Sequence, residues 1–537
     1  MRRTVIALAA LAVVSGQAVA QPEVVTPAQP QPYTGAAAPP ATVAPPPPQV
    51  PPVDPALKAA VLAIPAVSAE AIYLRQFYAL RNYELAWTRG DEQVLLGAID
   101  DAERHGLNPR DFMPDSGGGD AVQRDLRLTR AAFAYGQALA FGRIKPETME
   151  SIWTLRPHSA DLPNGLNQAL KARDLQAWID QLPPTDRGYQ GLTAAFLRYR
   201  EIATRGGWPA WRAGAKIEPG KSDPRLPALV ARLVAEGDLA PEAAIPPSGA
   251  AATLYHPAVV EAAKRFQTRH GLTPDGVIGA DTQVELGATA KDRMRQIATN
   301  MERRRWVSRV LADERIEVNT AAAILVYWRD GRPIYGTRVV PGAPKTPTPS
   351  LEAPFSSVVA NPPWNVPAGI AAAEILPKGP GYMAARGMYL TNGRVVQRPG
   401  PNSALGLVKF EVNNPYAIYL HDTPSKRFFA NTNRHLSHGC VRVQDAIAFA
   451  RMLLGYNPPA LEQFDAAQAT GDTTRVHLGR EIPVRLLYWT AFLDGEGRIS
   501  FRKDVYGRDD KLAKALGLGS MDQLLEQQGP APGDVGP

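Results

Sequence analysis

Ser437-His438-Gly439-Cys440-Val441-Arg442-Val443 contains the only cysteine in 537 residues. A lone thiol cannot close an internal disulfide, so it is idle, a metal ligand or a nucleophile. Nineteen positions upstream, His421 ends the apolar run Tyr416-Ala417-Ile418-Tyr419-Leu420. Alternation there predicts a strand with Ala417, Tyr419 and His421 on one face. An extended backbone at 438–440 would turn His438 and Cys440 the same way. A thiol attacks a carbonyl as thiolate, yet a free cysteine is mostly protonated at neutral pH. A nearby imidazole can take that proton and return it to the departing amine. Gly439 suits a site where backbone N–H groups meet an oxyanion at close range. Two histidines, Ser437 and Gly439 therefore favour a nucleophile. Spacing alone does not choose between His421 and His438. A zinc site of His421, His438 and Cys440 is the rival by ligand type, but no fourth ligand stands out.

Outward from this stretch the pattern is that of strands. Ala321–Trp328 and Ile334–Val340 flank Asp330-Gly331, a hairpin signal. Phe355–Val359, Leu407–Val412 and Tyr416–His421 continue the sheet, and Asp445–Leu454 reads as an amphipathic helix. Pro483–Leu493 and Arg498–Val505 flank a second hairpin signal, Asp494-Gly495. Residues 361–401 interrupt the sheet with many Pro and Gly and the short helical run Ile370–Leu376, which reads as a lid. The whole predicts an antiparallel β-rich domain over 313–510.

Upstream, Arg2-Arg3, the apolar run Val5–Val14 and Ala18-Val19-Ala20 read as a signal peptide over 1–20. Ten apolar residues are too few to span a bilayer, which takes about 20. Residues 21–53 hold 12 prolines and read as an extended tether, reaching on the order of 100 Å. Residues 54–245 read as a helical domain, with Trp87, Trp153 and Trp208 as packing residues. Pro257–His270, the turn Pro274-Asp275-Gly276 and a helix from Asp281-Thr282 form a compact unit at 250–290. A charged helix at 291–312 links it onward, and 511–537 reads as a tail.

The pattern His421-Asp422-Thr423-Pro424 with Ser437-His438-Gly439-Cys440-Val441-Arg442-Val443 resembles the signature of L,D-transpeptidases, which remodel bacterial peptidoglycan through a cysteine acyl-enzyme. The flanks Pro399-Gly400-Pro401-Asn402, Ala404-Leu405-Gly406, Val408-Lys409-Phe410 and Asn414-Pro415-Tyr416 resemble the same family, and Asn300-Met301-Glu302-Arg303, Asn365-Val366-Pro367 and Tyr488-Trp489-Thr490-Ala491 resemble its large multidomain subgroup. Val260–Gly279 is similar to the small three-helix peptidoglycan-binding domain. The resemblance implies an α+β multidomain chain: helical scaffold, peptidoglycan-binding domain, and catalytic domain with a capping insertion. By position it implies Cys440 as nucleophile and His421 as proton donor and acceptor. It puts His438 and Gly439 beside the oxyanion, with Ser437 orienting the histidine. Arg442 would steady the loop or bind a substrate carboxylate; Tyr419 and Trp364 are candidate substrate contacts with packing as the rival role. Pro341-Gly342-Ala343-Pro344-Lys345-Thr346-Pro347 departs from the family's longer, charged loop.

The resemblance further implies no metal or cofactor, partners in peptidoglycan stems and glycan, covalent inhibition by carbapenems, and a periplasmic location. Its expected reaction is a 3→3 cross-link. Water as acceptor would make the chain an L,D-carboxypeptidase, and a lipoprotein lysine would make it an anchoring enzyme. A non-catalytic wall-binding scaffold is the remaining alternative. A formal charge of +7, or +5 without Arg2 and Arg3, is modest, and no basic helix with interleaved aromatics suggests nucleic acid.

Overall fold

The computed structural model describes residues 54–115, 117–244 and 253–518. The expected signal peptide and tether lie outside the described residues, as does most of the expected tail. Among the described residues no helix is long and apolar enough to cross a membrane.

Helices α1 (Pro55–Ala63), α2 (Ala69–Leu80), α3 (Arg89–Asp100) and α4 (Ala121–Phe141) begin the chain. They are followed by α5 (Pro146–Met149), α6 (Leu162–Ala172), α7 (Leu175–Gln181) and α8 (Arg187–Thr204). Asp54, Ser68, Thr88, Asp120, Asp161 and Asp186 cap six of these helices by accepting early backbone N–H groups. Leu74, Phe77, Leu128 and Phe133 meet in the helical core, and Trp87 is buried there. The buried carboxylate of Asp125 is satisfied by the Tyr78 hydroxyl at 2.7 Å and the N–H groups of Ala86 and Trp87 at 2.7 and 3.0 Å.

Helix α9 (Leu226–Glu236) shares one apolar core with α10 (Pro257–Arg269) and α11 (Ala280–Gly287). Leu229 and Leu233 pack with Val260, Ala263 and Phe266. The three-helix unit therefore begins upstream of the expected boundary at 250. Helix α10 begins 21 residues after α9 ends, too far along the chain for periodicity to join them.

Helix α12 (Ala290–Trp306) is buried on most sides although it is rich in charge. Glu302 accepts the Ile144 N–H at 2.8 Å, Arg305 donates to the Tyr189 hydroxyl, and Asn300 donates to Thr490 Oγ1 at 2.7 Å. Arg303 pairs with Asp509 on α17 (Arg508–Ala515), below in the chain order. Ordered structure thus runs past residue 511, where the tail was expected to start.

Eight strands close a barrel: β1 (Arg315–Asn319), β2 (Ile324–Arg329), β3 (Arg332–Val340), β4 (Leu351–Ala360), β8 (Val408–Val412), β9 (Leu420–His421), β10 (Val441–Val443) and β11 (Thr474–Leu487). Between them, β5 (Trp364–Asn365), β6 (Met388–Thr391) and β7 (Arg394–Gln397) form the lid's own sheet. The barrel order is β1-β11-β4-β8-β9-β10-β3-β2, with β1/β11 and β9/β10 parallel and the other pairs antiparallel. Val408, Phe410 and Val412 point inward while Lys409 and Glu411 alternate outward. Asp330 and Gly331 both have positive φ, as a tight hairpin turn between β2 and β3 requires.

Helices α13 (Ala368–Ile370) and α14 (Gly379–Ala385) belong to the lid. Helix α15 (Ala446–Leu454) sets Phe449 against Tyr335, Phe410 and Tyr327, and α16 (Pro458–Thr470) adds Phe464 to the same core. Burying each such ring contributes roughly 1.5–3 kcal/mol.

Two expected strands are shorter than the alternation suggests. Tyr416–His421 is a strand only at Leu420–His421, because Ala417 adopts φ +54 in a loop pinned by Asn414. Asn414 accepts the N–H groups of Tyr416 and Ile418 and donates to Ile418 O. The stretch Pro483–Leu493 divides at Tyr488–Thr490, and β12 (Ala491–Leu493) pairs with β13 (Ile499–Phe501) outside the barrel.

Candidate active site

Parallel pairing of β9 and β10 sets Leu420 opposite Val441 and His421 opposite Arg442. One step upstream, the Val441 N–H donates to Tyr419 O at 3.0 Å, which brings Tyr419 beside Cys440. The Tyr419 backbone N–H and hydroxyl both face the Cys440 thiol, and the Trp364 side chain lies close to the same hydroxyl. Sγ is partly exposed and lies 3.6 Å from Ala417 O. Burial pushes the thiol above its ordinary pKa; the Tyr419 donors and then the Lys409 and Arg442 charges pull the other way. Burial likewise holds the Tyr419 phenol well above its usual range.

His421 is buried, and its Nδ1–H donates to Asp422 O at 2.5 Å. That carbonyl can only accept, so Nε2 is the basic nitrogen. Burial first, then the Arg442 and Lys409 charges, lower its pKa to about 3. Its ring centroid is 5.6 Å from that of Tyr419. The resting pair is therefore a neutral thiol and a neutral imidazole.

Ser437 does not orient a histidine. Its hydroxyl donates to Cys440 O at 2.5 Å and accepts the Gly439 N–H at 3.1 Å, fixing the turn that carries the thiol. Gly439 has φ +115, a conformation that side-chain-bearing residues rarely adopt. The short loop after β3 braces this turn from outside. Thr348 Oγ1 donates to Gly439 O and accepts the Gly342 N–H, both at 2.8 Å, and the Ala343 N–H donates to Ser437 O at 2.8 Å. The Tyr506 hydroxyl donates to Gly342 O at 2.8 Å.

His438 points away from this brace. Its Nε2–H donates to Glu374 Oε1 of the lid at 2.7 Å. Arg442 is buried, with its guanidinium beside the Phe428 ring. Trp364 belongs to the lid's apolar core with Ile375, Met383 and Leu405, and Tyr419 packs against that core. Both aromatics are thus packing residues, and Tyr419 also reaches the thiol. Among the described residues no group of three or more His, Cys, Asp and Glu could hold a metal, and the His421 and His438 hydrogen bonds commit one nitrogen of each ring.

Sequence reasoning missed three participants. Lys409 pairs with His421 across β8/β9 and sits 4.6 Å from the Tyr419 ring; its outward register in the Val-Lys-Phe-Glu-Val alternation was the available signal. Glu374 is the only acidic residue of 361–401. Thr348 carried no signal.

Family models match three parts of the chain. Residues 73–195 match a scaffold domain and residues 313–478 the L,D-transpeptidase catalytic domain. Residues 223–286, α9 to α11, match a domain provisionally described as peptidoglycan binding. A Haemophilus influenzae protein provisionally named an L,D-transpeptidase is 34% identical over 221 residues. That match covers 37% of this chain and 45% of the relative, so the chain spans less than half of that relative's length. Among solved structures, an L,D-transpeptidase from Stackebrandtia nassauensis is 14% identical, covering 52% of this chain and 96% of that one, at a TM-score of 0.21. An L,D-transpeptidase from Xylanimonas cellulosilytica is 16% identical, covering 51% and 98%, at a TM-score of 0.17. Superpositions at such scores carry no structural argument. Residues 313–478 thus match the L,D-transpeptidase catalytic domain, a likeness that the curated relative shares by name.

Proposed function

We propose that the protein is an exported L,D-transpeptidase that forms 3→3 cross-links in peptidoglycan through a thioester on Cys440. The observation that carries this reading is the surroundings of the thiol: partly exposed, faced by Tyr419, on the turn that leads into β10, whose Arg442 lies opposite the buried His421 of β9. His421 Nε2 takes the thiol proton as sulfur attacks the carbonyl of the third stem residue, meso-diaminopimelate. The imidazolium so formed returns the proton to the departing D-alanine nitrogen. The thioester remains. An amine of a second stem then displaces the sulfur and leaves an amide.

The turn at 437–440 supplies backbone donors for the oxyanion. Gly439 N–H is bound to Ser437 Oγ, which favours the Cys440 N–H as the main donor. The α9–α11 unit would hold wall glycan, and the lid would keep water from the thioester. Carbapenems are expected to acylate Cys440. The site of action is the periplasm, where both wall strands are reachable.

The test is mass spectrometry of disaccharide-tetrapeptide incubated with the protein and with Cys440→Ala. A dimer one D-alanine lighter than two substrates, absent with the variant, is expected. Tripeptide alone would replace the reading with an L,D-carboxypeptidase. No change in either sample would refute it and favour a wall-binding scaffold.

A further inference from the structure

The lid places a single carboxylate against a histidine that the acylation step does not need. Residues 361–401 contain four cations, Lys378, Arg386, Arg394 and Arg398, and one acid, Glu374. Glu374 sits in a π-helical turn, Ala371–Ile375, between α13 and a short 3₁₀ turn. Such turns are rare and recur at functional sites. The wider turn carries Glu374 to His438, two residues before Cys440, at 2.7 Å. Both side chains keep about a quarter of their surface in solvent, 28% for His438 and 25% for Glu374, so a substrate can reach them. His421, by contrast, is buried and already committed beside Tyr419.

The second half of the proposed reaction has its own proton problem. The acceptor arrives as an ammonium and must lose a proton before nitrogen can attack. Lys409 and Arg442 make the field at the thiol positive, which favours the thiolate and repels an ammonium. A base close to Cys440, backed by a negative charge, answers both difficulties.

Resting on the transpeptidase reading above, we infer that Glu374 and His438 form the acceptor-side base. Glu374 is the positioning residue: its carboxylate accepts the His438 Nε2–H and so leaves Nδ1 with the lone pair. His438 is the catalytic residue of the pair. Nδ1 takes one proton from the acceptor R–NH3+, giving R–NH2 and imidazolium. The amine nitrogen attacks the thioester carbon, the C–N bond forms, and the C–S bond breaks as its electron pair returns to sulfur. The second nitrogen proton passes to that sulfur, regenerating the thiol, and imidazolium releases the first proton to water. The two histidines thus divide the reaction: His421 serves the donor stem and His438 the acceptor. The lid enters the second half through Glu374, so water gains less than an amine from its presence.

The experiment compares the unmodified protein with Glu374→Gln and His438→Gln on disaccharide-tetrapeptide, measuring the ratio of cross-linked dimer to tripeptide by mass spectrometry. The ratio cancels any shared effect on acylation. Loss of a general base should lower it about a hundredfold, and Glu374→Asp should recover part of that loss. A parallel arm supplies hydroxylamine, whose nitrogen is unprotonated at neutral pH and needs no base. Its hydroxamate-to-tripeptide ratio should match the unmodified protein in both variants. An unchanged dimer ratio overturns the inference, and so does an equal fall with hydroxylamine, which would indicate a structural role for the lid contact. If the unmodified protein releases no D-alanine, the transpeptidase reading itself fails, and that outcome is distinct from both.

Discussion

Replacing Tyr419 with Phe deletes one hydroxyl and leaves the ring, the strand and the lid contact in place. That hydroxyl faces the Cys440 sulfur and favours its thiolate, and the Trp364 side chain lies close by. A hydrogen bond to a charged group contributes about 1.5–3 kcal/mol. The bond strengthens as the thiol ionises, so most of that energy separates thiolate from thiol. At 1.36 kcal/mol per pKa unit, the thiol should rise by roughly 1–2 units. Burial already holds it above its ordinary value, so the thiolate fraction at neutral pH should fall about 10- to 100-fold. Because Cys440 is the only thiol in the chain, whole-protein mass after iodoacetamide labelling reports it directly. The labelling rate measured against pH should shift to higher pH in Tyr419→Phe with the plateau retained. A profile that superimposes on that of the unmodified protein would refute the assigned role of the hydroxyl. A lowered plateau without a shift would mean that Tyr419 controls access instead.

Glycine changes in the active-site loops should separate clash from strain. A Cβ at Gly342 would lie 2.1 Å from Thr346 O and 2.7 Å from Thr348 N, so Gly342→Ala should cost several kcal/mol in urea unfolding. At Gly439 a Cβ has room, 3.6 Å from Ile418 Cδ1, and only φ +115 opposes it; Gly439→Ala should cost about 1–3 kcal/mol, fold, and slow acylation. Three buried histidines, His270, His421 and His435, have folded pKa values below the ordinary 6.5, with burial as the main cause. The unfolded chain therefore binds protons first, and stability present above pH 6.5 is lost as pH falls toward the folded values. Each should remove roughly 2 kcal/mol between pH 7 and pH 5, and His435→Gln should flatten the dependence by one proton; an equal slope would contradict the assignment. Deleting residues 361–401 should raise the tripeptide-to-dimer ratio, and an unchanged ratio would refute the water-excluding role of the lid.

The candidate site residues stood out in the sequence because their types are scarce. One cysteine, a histidine at the end of an apolar run and a glycine beside the thiol left few arrangements, and the barrel strands with strict alternation, such as Val408–Val412, were equally plain. The failures have physical causes. Tyr416–His421 alternates like a strand, but Asn414 satisfies the local backbone groups and Ala417 turns left-handed, so only the last two residues join the barrel. Ser437 looked like a partner for histidine, whereas its hydroxyl is engaged by the backbone of its own turn. Glu374 and Thr348 act across 64 and 91 residues of chain, a separation at which no periodicity speaks. Helix α9 packs with α10 and α11, which lie farther along the chain than periodicity can bridge.

Helix α12 has a consequence for reach. Its buried polar side chains dock on the scaffold through Glu302 and Arg305 and on the segment after the barrel through Asn300 and Arg303. Arg269 of α10 donates to Ile499 O at 3.0 Å, and Thr273 meets Thr432 at 3.0 Å. Such a layout leaves no slack between the α9–α11 unit and the thiol. It works as a calliper and not as a leash: a polymer gripped at one jaw stands at one offset from the other. One residue inserted at the head of α12 would advance that offset by about 1.5 Å and turn it by about 100°, so the gauge can be reset only in coarse, rotating steps.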